Sequence, residues 1–182
     1  MDKSFDINKY LSFTLEIVKI VVIAAAIVIP IRYFLFQPFF VEGQSMDPNF
    51  ASGDYLIIDE ISYRFSQPER GDVIVFKYPL NDSRRLIKRI IGLPGETIVI
   101  ADCRVIINNN VLDESAYLND ICTSGNMTVI LGDNEYFVLG DNREFSFDSR
   151  SFGILQKDLI IGRVFIRAWP INSVEKFSNP SY

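Results

Sequence analysis

One apolar run divides this chain in two. Leu15 to Val41 reads LEIVKIVVIAAAIVIPIRYFLFQPFFV, with an uncharged centre at Ile20–Ile31. The centre is short for a bilayer, which takes about 20 apolar residues. Lys19 and Arg32 at its ends can snorkel, which extends the usable span. Tyr33, Phe34 and Phe36 suit an interface, and Pro30 near the end of a helix costs less in a membrane than in water. The residues after the centre, IPIRYFLFQPFF, are bulky and offer no small-residue cleavage site. The run therefore reads as an uncleaved transmembrane anchor at 14–36 behind a short polar tail at 1–13. A buried helix of the globular domain is the alternative. Lys3, Lys9, Lys19 and the amino terminus, offset by Asp2, Asp6 and Glu16, favour a single-pass protein of the cell membrane with its N-terminus cytoplasmic. The domain that follows would then be extracytoplasmic.

Beyond the run the periodicity changes. Short β-branched segments recur: DYLIIDE, DVIVFKY, RLIKRII, ETIVIA, CRVIIN, NEYFVLG and LIIGRVFIRAW. Turn signals such as Ser52-Gly53, Pro94-Gly95 and Gly132-Asp133 separate them. This pattern predicts an all-β domain of antiparallel sheets, a partly open barrel or sandwich, over 37–101 and 134–171. Residues 102–133 carry weaker strands, more Asn, Asp and Ser, and both cysteines, and read as a β-ribbon insertion. The tail at 172–182 is expected to be poorly ordered. Cys103 and Cys122 lack metal or redox spacing, and pairing or two separate thiols are equally compatible with the sequence.

The residue that is missing narrows the chemistry. There is no histidine among 182 residues, which removes Ser-His and Cys-His mechanisms and His-containing metal sites. A net charge of −5 with no basic run excludes nucleic acid as the expected partner. Acid–base chemistry near neutral pH then needs a carboxylate, lysine, tyrosine or cysteine with a displaced pKa.

Three segments offer such chemistry. Ser45 lies in VEGQSMDPNF just after the anchor, between Gly43 and Pro48, where a serine is more often a plain turn residue. Lys88 lies in RRLIKRIIGLPGE. Strand alternation puts Leu86, Lys88 and Ile90 on one face and Ile87, Arg89 and Ile91 on the other. Lysines in such strands usually snorkel or pair, but burial among aliphatics would lower the pKa and free a neutral amine. Residues 140–153, GDNREFSFDSRSFG, pack charges and serines among Phe145, Phe147 and Phe152. This is either a solvated loop with local ion pairs or a polar network of specific geometry.

Together these segments resemble the type I signal peptidases. That family carries, after an N-terminal anchor, a Ser-Met-x-Pro box, a Lys-Arg box running into Gly-x-Pro-Gly, and a Gly-Asp-Asn-Arg-x-x-Ser-x-Asp-Ser-Arg-x-x-Gly box. They stand here at Ser45–Pro48, Lys88–Gly95 and Gly140–Gly153. The resemblance implies a serine endopeptidase that removes signal peptides from exported preproteins after small residues, at Ala-x-Ala-like sites. In it Ser45 is the nucleophile, Lys88 the general base and Ser146 the hydroxyl that orients the lysine. Asp148 and Arg150 would form a site-shaping ion pair shared with Arg89, and the Ser45 N–H would contribute to the oxyanion hole. Phe40, Val41, Glu42, Gly43, Gln44 and Met46 would flank an extended substrate.

Partners implied are preproteins, membrane lipid and the secretion machinery; no metal or other cofactor is implied. Two positions depart from the pattern. Gly43 stands where some members carry a hydroxyl oxyanion donor, and Asn49 stands where Thr is common. Self-cleaving repressor-type proteases share the dyad logic but lack an anchor, and a tethered, non-catalytic β-domain would not need the dyad.

Overall fold

The computed structural model describes residues 7–34, 36–118, 121–177 and 180. Residues 1–36 and 37–182 form two compact units. In the first, α1 (Ile7–Phe34) is a 28-residue helix, about 42 Å long at 1.5 Å per residue. Its described side chains at 11–26 and 28 are exposed, apart from half-buried Ala25. The expected anchor at 14–36 falls partly on side chains at 27 and 29–36 that lie outside the described ones. Among the described residues no helix is long and apolar enough to cross a membrane.

The second unit is built of antiparallel strands, the class expected. In chain order these are β1 (Phe36–Phe40), β2 (Tyr55–Asp59), β3 (Val73–Tyr78), β4 (Asn81–Gly92), β5 (Thr97–Ala101), β6 (Arg104–Ile107), β7 (Asn110–Val111), β8 (Met127–Ile130), β9 (Glu135–Leu139), β10 (Leu155–Gln156), β11 (Ile160–Trp169) and β12 (Glu175–Lys176). The larger sheet runs β1-β2-β11-β3-β4-β9-β10, with β12 against β11. β3 and β4 form a hairpin in which Ile74 faces Lys88 and Val73 faces Arg89. β9 takes the other edge of β4 only from Arg89 onward. A smaller sheet, β7-β6-β5-β8, is separate in its strand pairing.

Two boundaries differ from the sequence reading. The smaller sheet begins at Thr97, not 102, because β5 pairs with β6 and β8 rather than with the main sheet. The tail from 172 is ordered as far as Phe177. β12 pairs with Ile166 and Arg167, Arg167 Nε donates to Ser173 O at 2.9 Å and Nη2 to Glu175 at 2.8 Å, and the Phe177 ring sits 4.5 Å from that of Phe50. Polar composition had suggested disorder, but a basic strand residue and an aromatic anchor hold the segment down. Cys103 and Cys122 are joined by a disulfide, the alternative left open above.

β4 shows why the strand alternation matters. Ile87 enters a core cluster with Val41, Met46, Phe50, Leu56, Ile58, Val73, Val75 and Val164. On the opposite face Ile90 joins Ile74, Phe76, Tyr136, Val138 and Leu155, with Leu86 beside them. Ile91 enters a third cluster, with Phe137 and Leu139 of β9 and the apolar face of the smaller sheet. A cation on β4 is thus enclosed by hydrophobic burial on both sides, and burial of this kind is the main stabilising term available.

Candidate active site

Ser45 sits on the loop between β1 and β2, and its neighbours explain how a loop residue is held. Val41, Met46 and Phe50 are each at most 1% exposed and plug the loop into the core on both sides of the serine. Gly43 has φ +92, a left-handed conformation that costs glycine little, and it turns the chain toward Ser45. The loop is fastened at Ser45 itself, where the Asn142 N–H donates to Ser45 O at 3.1 Å.

Lys88 reaches this loop from the middle of β4. Its Nζ donates to Ser45 Oγ at 2.6 Å and to Ile87 O at 2.7 Å, and the residue is 2% exposed. Burial lowers its pKa from 10.5 to about 8, against the pull of the Asp148 and Asp141 charges, which raise it. At pH 7 roughly a tenth of such amines are neutral, against less than about 0.1% for an ordinary lysine. A hydroxyl and a potential base are therefore within hydrogen-bond reach of each other.

The 140–153 segment encloses the pair from the other side. Asp148 is fully buried and caps the short helix α2 (Ser149–Phe152). Arg150 donates to it through Nε at 2.9 Å and Nη2 at 2.8 Å, and Gly140 N–H at 3.1 Å. Burial works against the Asp148 charge, but the Arg150 bonds and charge override it and hold the carboxyl below its ordinary pKa. Gly140 is required by close approach: a Cβ there would meet Ser146 Oγ at 2.1 Å and Ser45 O at 2.4 Å.

Several expected roles are placed differently. Asp148 and Arg150 pair as read, but Arg89 does not share that pair. It forks onto Asp141 at 2.8 and 2.7 Å and donates to Gly71 O, its guanidinium 4.2 Å from the Tyr117 ring. Arg89 is on the opposite face of β4 from Lys88, so alternation carries it to a different carboxylate. Ser146 makes no hydrogen bond to Lys88. Its Oγ is buried without a partner at bonding geometry, though near enough to Asp148 to help hold that charge.

A groove of about 170 Å³ runs past the dyad, lined by Phe39, Phe40, Glu42, Ser45 and Arg85–Lys88. Of the six residues expected at the substrate, Phe40 and Glu42 line it, whereas the side chains of Val41 and Met46 are core. Gly43 N–H points to Ser52 Oγ at 3.4 Å, and Gln44 O accepts from Asp47 N–H at 3.2 Å.

Sequence reasoning missed Asp141, Arg143 and Glu114, and singled out Asn49 without giving it a role. Arg143, 1% exposed, donates to Gly140 O at 3.0 Å and to both Glu114 oxygens at 3.0 and 2.5 Å, and also bonds Thr123. Asp141 and Arg143 lie inside the third box, so their types were visible there. Glu114 had no local signal. No group of acidic or cysteine side chains suited to a metal occurs among the described residues.

The chain is similar to known proteins over most of its length. The family described as signal peptidase, peptidase S26, matches residues 14–169. A protein named probable signal peptidase I-2 from Synechocystis is 38% identical over 88% of this chain and 75% of its own length. Signal peptidase I from Leptolyngbya laminosa is 35% identical over 91% and 85%. Signal peptidase IB from Staphylococcus aureus is 31% identical over 91% and 95%. With the family matched across most of its length, the chain belongs to the signal peptidase family, peptidase S26, and is a hydrolase of the signal peptidase I type.

Proposed function

We propose that the protein is a membrane-anchored serine endopeptidase that removes signal peptides from exported preproteins with a Ser45–Lys88 dyad, after small residues. The observation that carries the reading is the 2.6 Å contact between Ser45 Oγ and a lysine amine that is almost wholly buried. In the reactive state the amine is neutral and the direction of that bond reverses, so that Ser45 O–H donates to Nζ. Oγ attacks the scissile carbonyl carbon as its proton passes to Nζ. The resulting ammonium gives that proton to the leaving amine, and the peptide C-terminal to the cut departs. Water then attacks the Ser45 ester with Lys88 again as base. That step releases the signal peptide as a carboxylate and regenerates the serine.

The Ser45 N–H would stabilise the oxyanion. Ser146 is the lysine-orienting hydroxyl of this reading. Its buried Oγ, without a hydrogen bond, has a donor and an acceptor to offer an approaching amine. Arg89, Asp148 and Arg150 shape the site through their ion pairs.

Substrate would lie extended in the groove between Phe39–Phe40 and Arg85–Lys88, where β4 ahead of Arg89 is not paired with β9. An extended peptide can pair with such an edge, and the small groove favours short side chains. The anchor reading rests on the apolar run of the sequence at 14–36 and on the exposed apolar residues of α1, including Leu11, Phe13, Leu15, Ile17, Val18 and Ile20–Ile23. It puts the enzyme in the cell membrane, N-terminus inside and catalytic unit outside, beside lipid and the secretion machinery.

The test is cleavage of a preprotein carrying an Ala-x-Ala site in detergent, with the new N-terminus read by mass spectrometry. Cutting after the second Ala by wild type, and by neither Ser45→Ala nor Lys88→Ala, is the expected result. Binding without cutting by all three would replace the enzyme with a tethered binder.

A further inference from the structure

Asn49, directly after the Ser45–Pro48 box, is one of the two positions where this chain departs from the family pattern, and the mechanism above does not use it. It lies four residues past Ser45, next to fully buried Phe50. Its side-chain amide donates twice from Nδ2: to Asp141 Oδ2 at 2.8 Å and to Tyr117 O at 3.0 Å. The same Asp141 carboxylate takes the Arg89 fork, and Arg89 follows Lys88 on β4. The next residue, Asn142, donates its N–H to Ser45 O. The pair Asp141–Asn142 therefore grips the nucleophile loop at both Ser45 and Asn49. Through Arg89 it also grips the strand that carries the lysine. Tyr117, which covers the Arg89 guanidinium, brings the insertion to the same point.

We propose that Asn49 is a positioning residue for the hydrolysis: its amide ties the nucleophile loop to the Asp141–Arg89 pair and so sets the spacing between Ser45 and Lys88. The inference rests on the dyad reading above. Asparagine suits the task because one planar NH₂ serves two acceptors on different segments, whereas a threonine hydroxyl has a single hydrogen to donate. Displacing a reacting group by about 1 Å can cost on the order of 100-fold in rate, so loss of this tie is expected in turnover more than in binding.

The full-length protein in detergent, as wild type, Asn49→Ala, Asn49→Thr and Asn49→Asp, is assayed for preprotein cleavage from pH 6 to 10. Active sites are counted by the single-turnover burst, and Ser45→Ala and Lys88→Ala serve as controls. Asn49→Ala is expected to lower kcat about 10- to 100-fold with KM within about two-fold. Asn49→Thr, which keeps one donor, restores most of kcat. Asn49→Asp, which sets a carboxylate against Asp141, is the slowest of the three. A merely structural residue would lower the number of active sites and the melting temperature while leaving kcat per site intact. If the controls are inactive and Asn49→Ala or Asn49→Asp turns over at the wild-type kcat, this inference alone is overturned. Cleavage by either control would overturn the dyad reading and this inference with it.

Discussion

At the residue scale the central feature is a lysine held where its charge is disfavoured. The folded pKa of Lys88 lies near 8 and the unfolded value near 10.5. Below pH 8 both states are protonated and the folded state carries the full penalty, about 3 kcal/mol at 1.36 kcal/mol per unit. Between pH 8 and 10.5 the unfolded state binds more protons, so the penalty fades as pH rises, and above 10.5 it is gone. Replacing Lys88 with Met removes the penalty and also two hydrogen bonds worth about 1 kcal/mol each. The expected result at pH 7 is an inactive protein more stable by about 1–3 kcal/mol. Denaturant titration at pH 7 and at pH 10.5 checks it, since the gain should vanish at the higher pH. A destabilised Lys88→Met at pH 7 would mean that burial is not what perturbs this amine.

The same scale marks where the sequence was readable. Ser45, Lys88 and the Asp148–Arg150 pair were legible because their partners lie inside short boxes or, for Ser45 and Lys88, because the boxes occur in a recognisable order. The partner of Arg89 was not. Asp141 is 52 residues away, and which of two nearby carboxylates a buried arginine takes depends on the face of β4 it occupies. The resemblance puts Val41 and Met46 beside the substrate, and their side chains are core, as a loop that holds Ser45 in place needs anchors there.

At the scale of elements, alternating β-branched runs disclosed most strands, but not which sheet each one joins. β5 follows the long β4 directly, yet it turns away to pair with β6 and β8, and nothing local distinguishes the two pairings. The C-terminal segment was misjudged for a similar reason. Glu175 pairs with Arg167 on the neighbouring strand, and Phe177 with Phe50, far away in sequence. Truncation after Pro170 should therefore destabilise the catalytic unit by about 2 kcal/mol or more, from loss of the aromatic contact and the Arg167 bonds. A thermal melt of the truncated protein checks this, and an unchanged midpoint would return the segment to a tail. The disulfide makes a parallel prediction. It closes a loop across a 19-residue separation, and its reduction should cost about 3 kcal/mol, read as a lower denaturant midpoint in the presence of a dithiol.

At the scale of the whole molecule, the chain combines a long helix with a β-unit that contains the dyad and the groove. Under the proposed mechanism the base is a lysine, and a peptidase working that way needs no histidine. The anchored reading predicts that the full chain floats with lipid vesicles, whereas residues 37–182 do not, and that both cut a soluble peptide substrate. Flotation of the shortened chain to the same extent would place the membrane contact elsewhere.

The central claim, that a buried neutral Lys88 activates Ser45, is tested most directly by the pH dependence of single-turnover preprotein cleavage. The account predicts a rate that climbs about tenfold per pH unit through the acid range, with a midpoint near pH 8, and levels off above it. Lys88→Ala should be inactive across the whole range. A limb centred near 10.5, or a Lys88→Ala variant that still cleaves at a comparable rate, would contradict it.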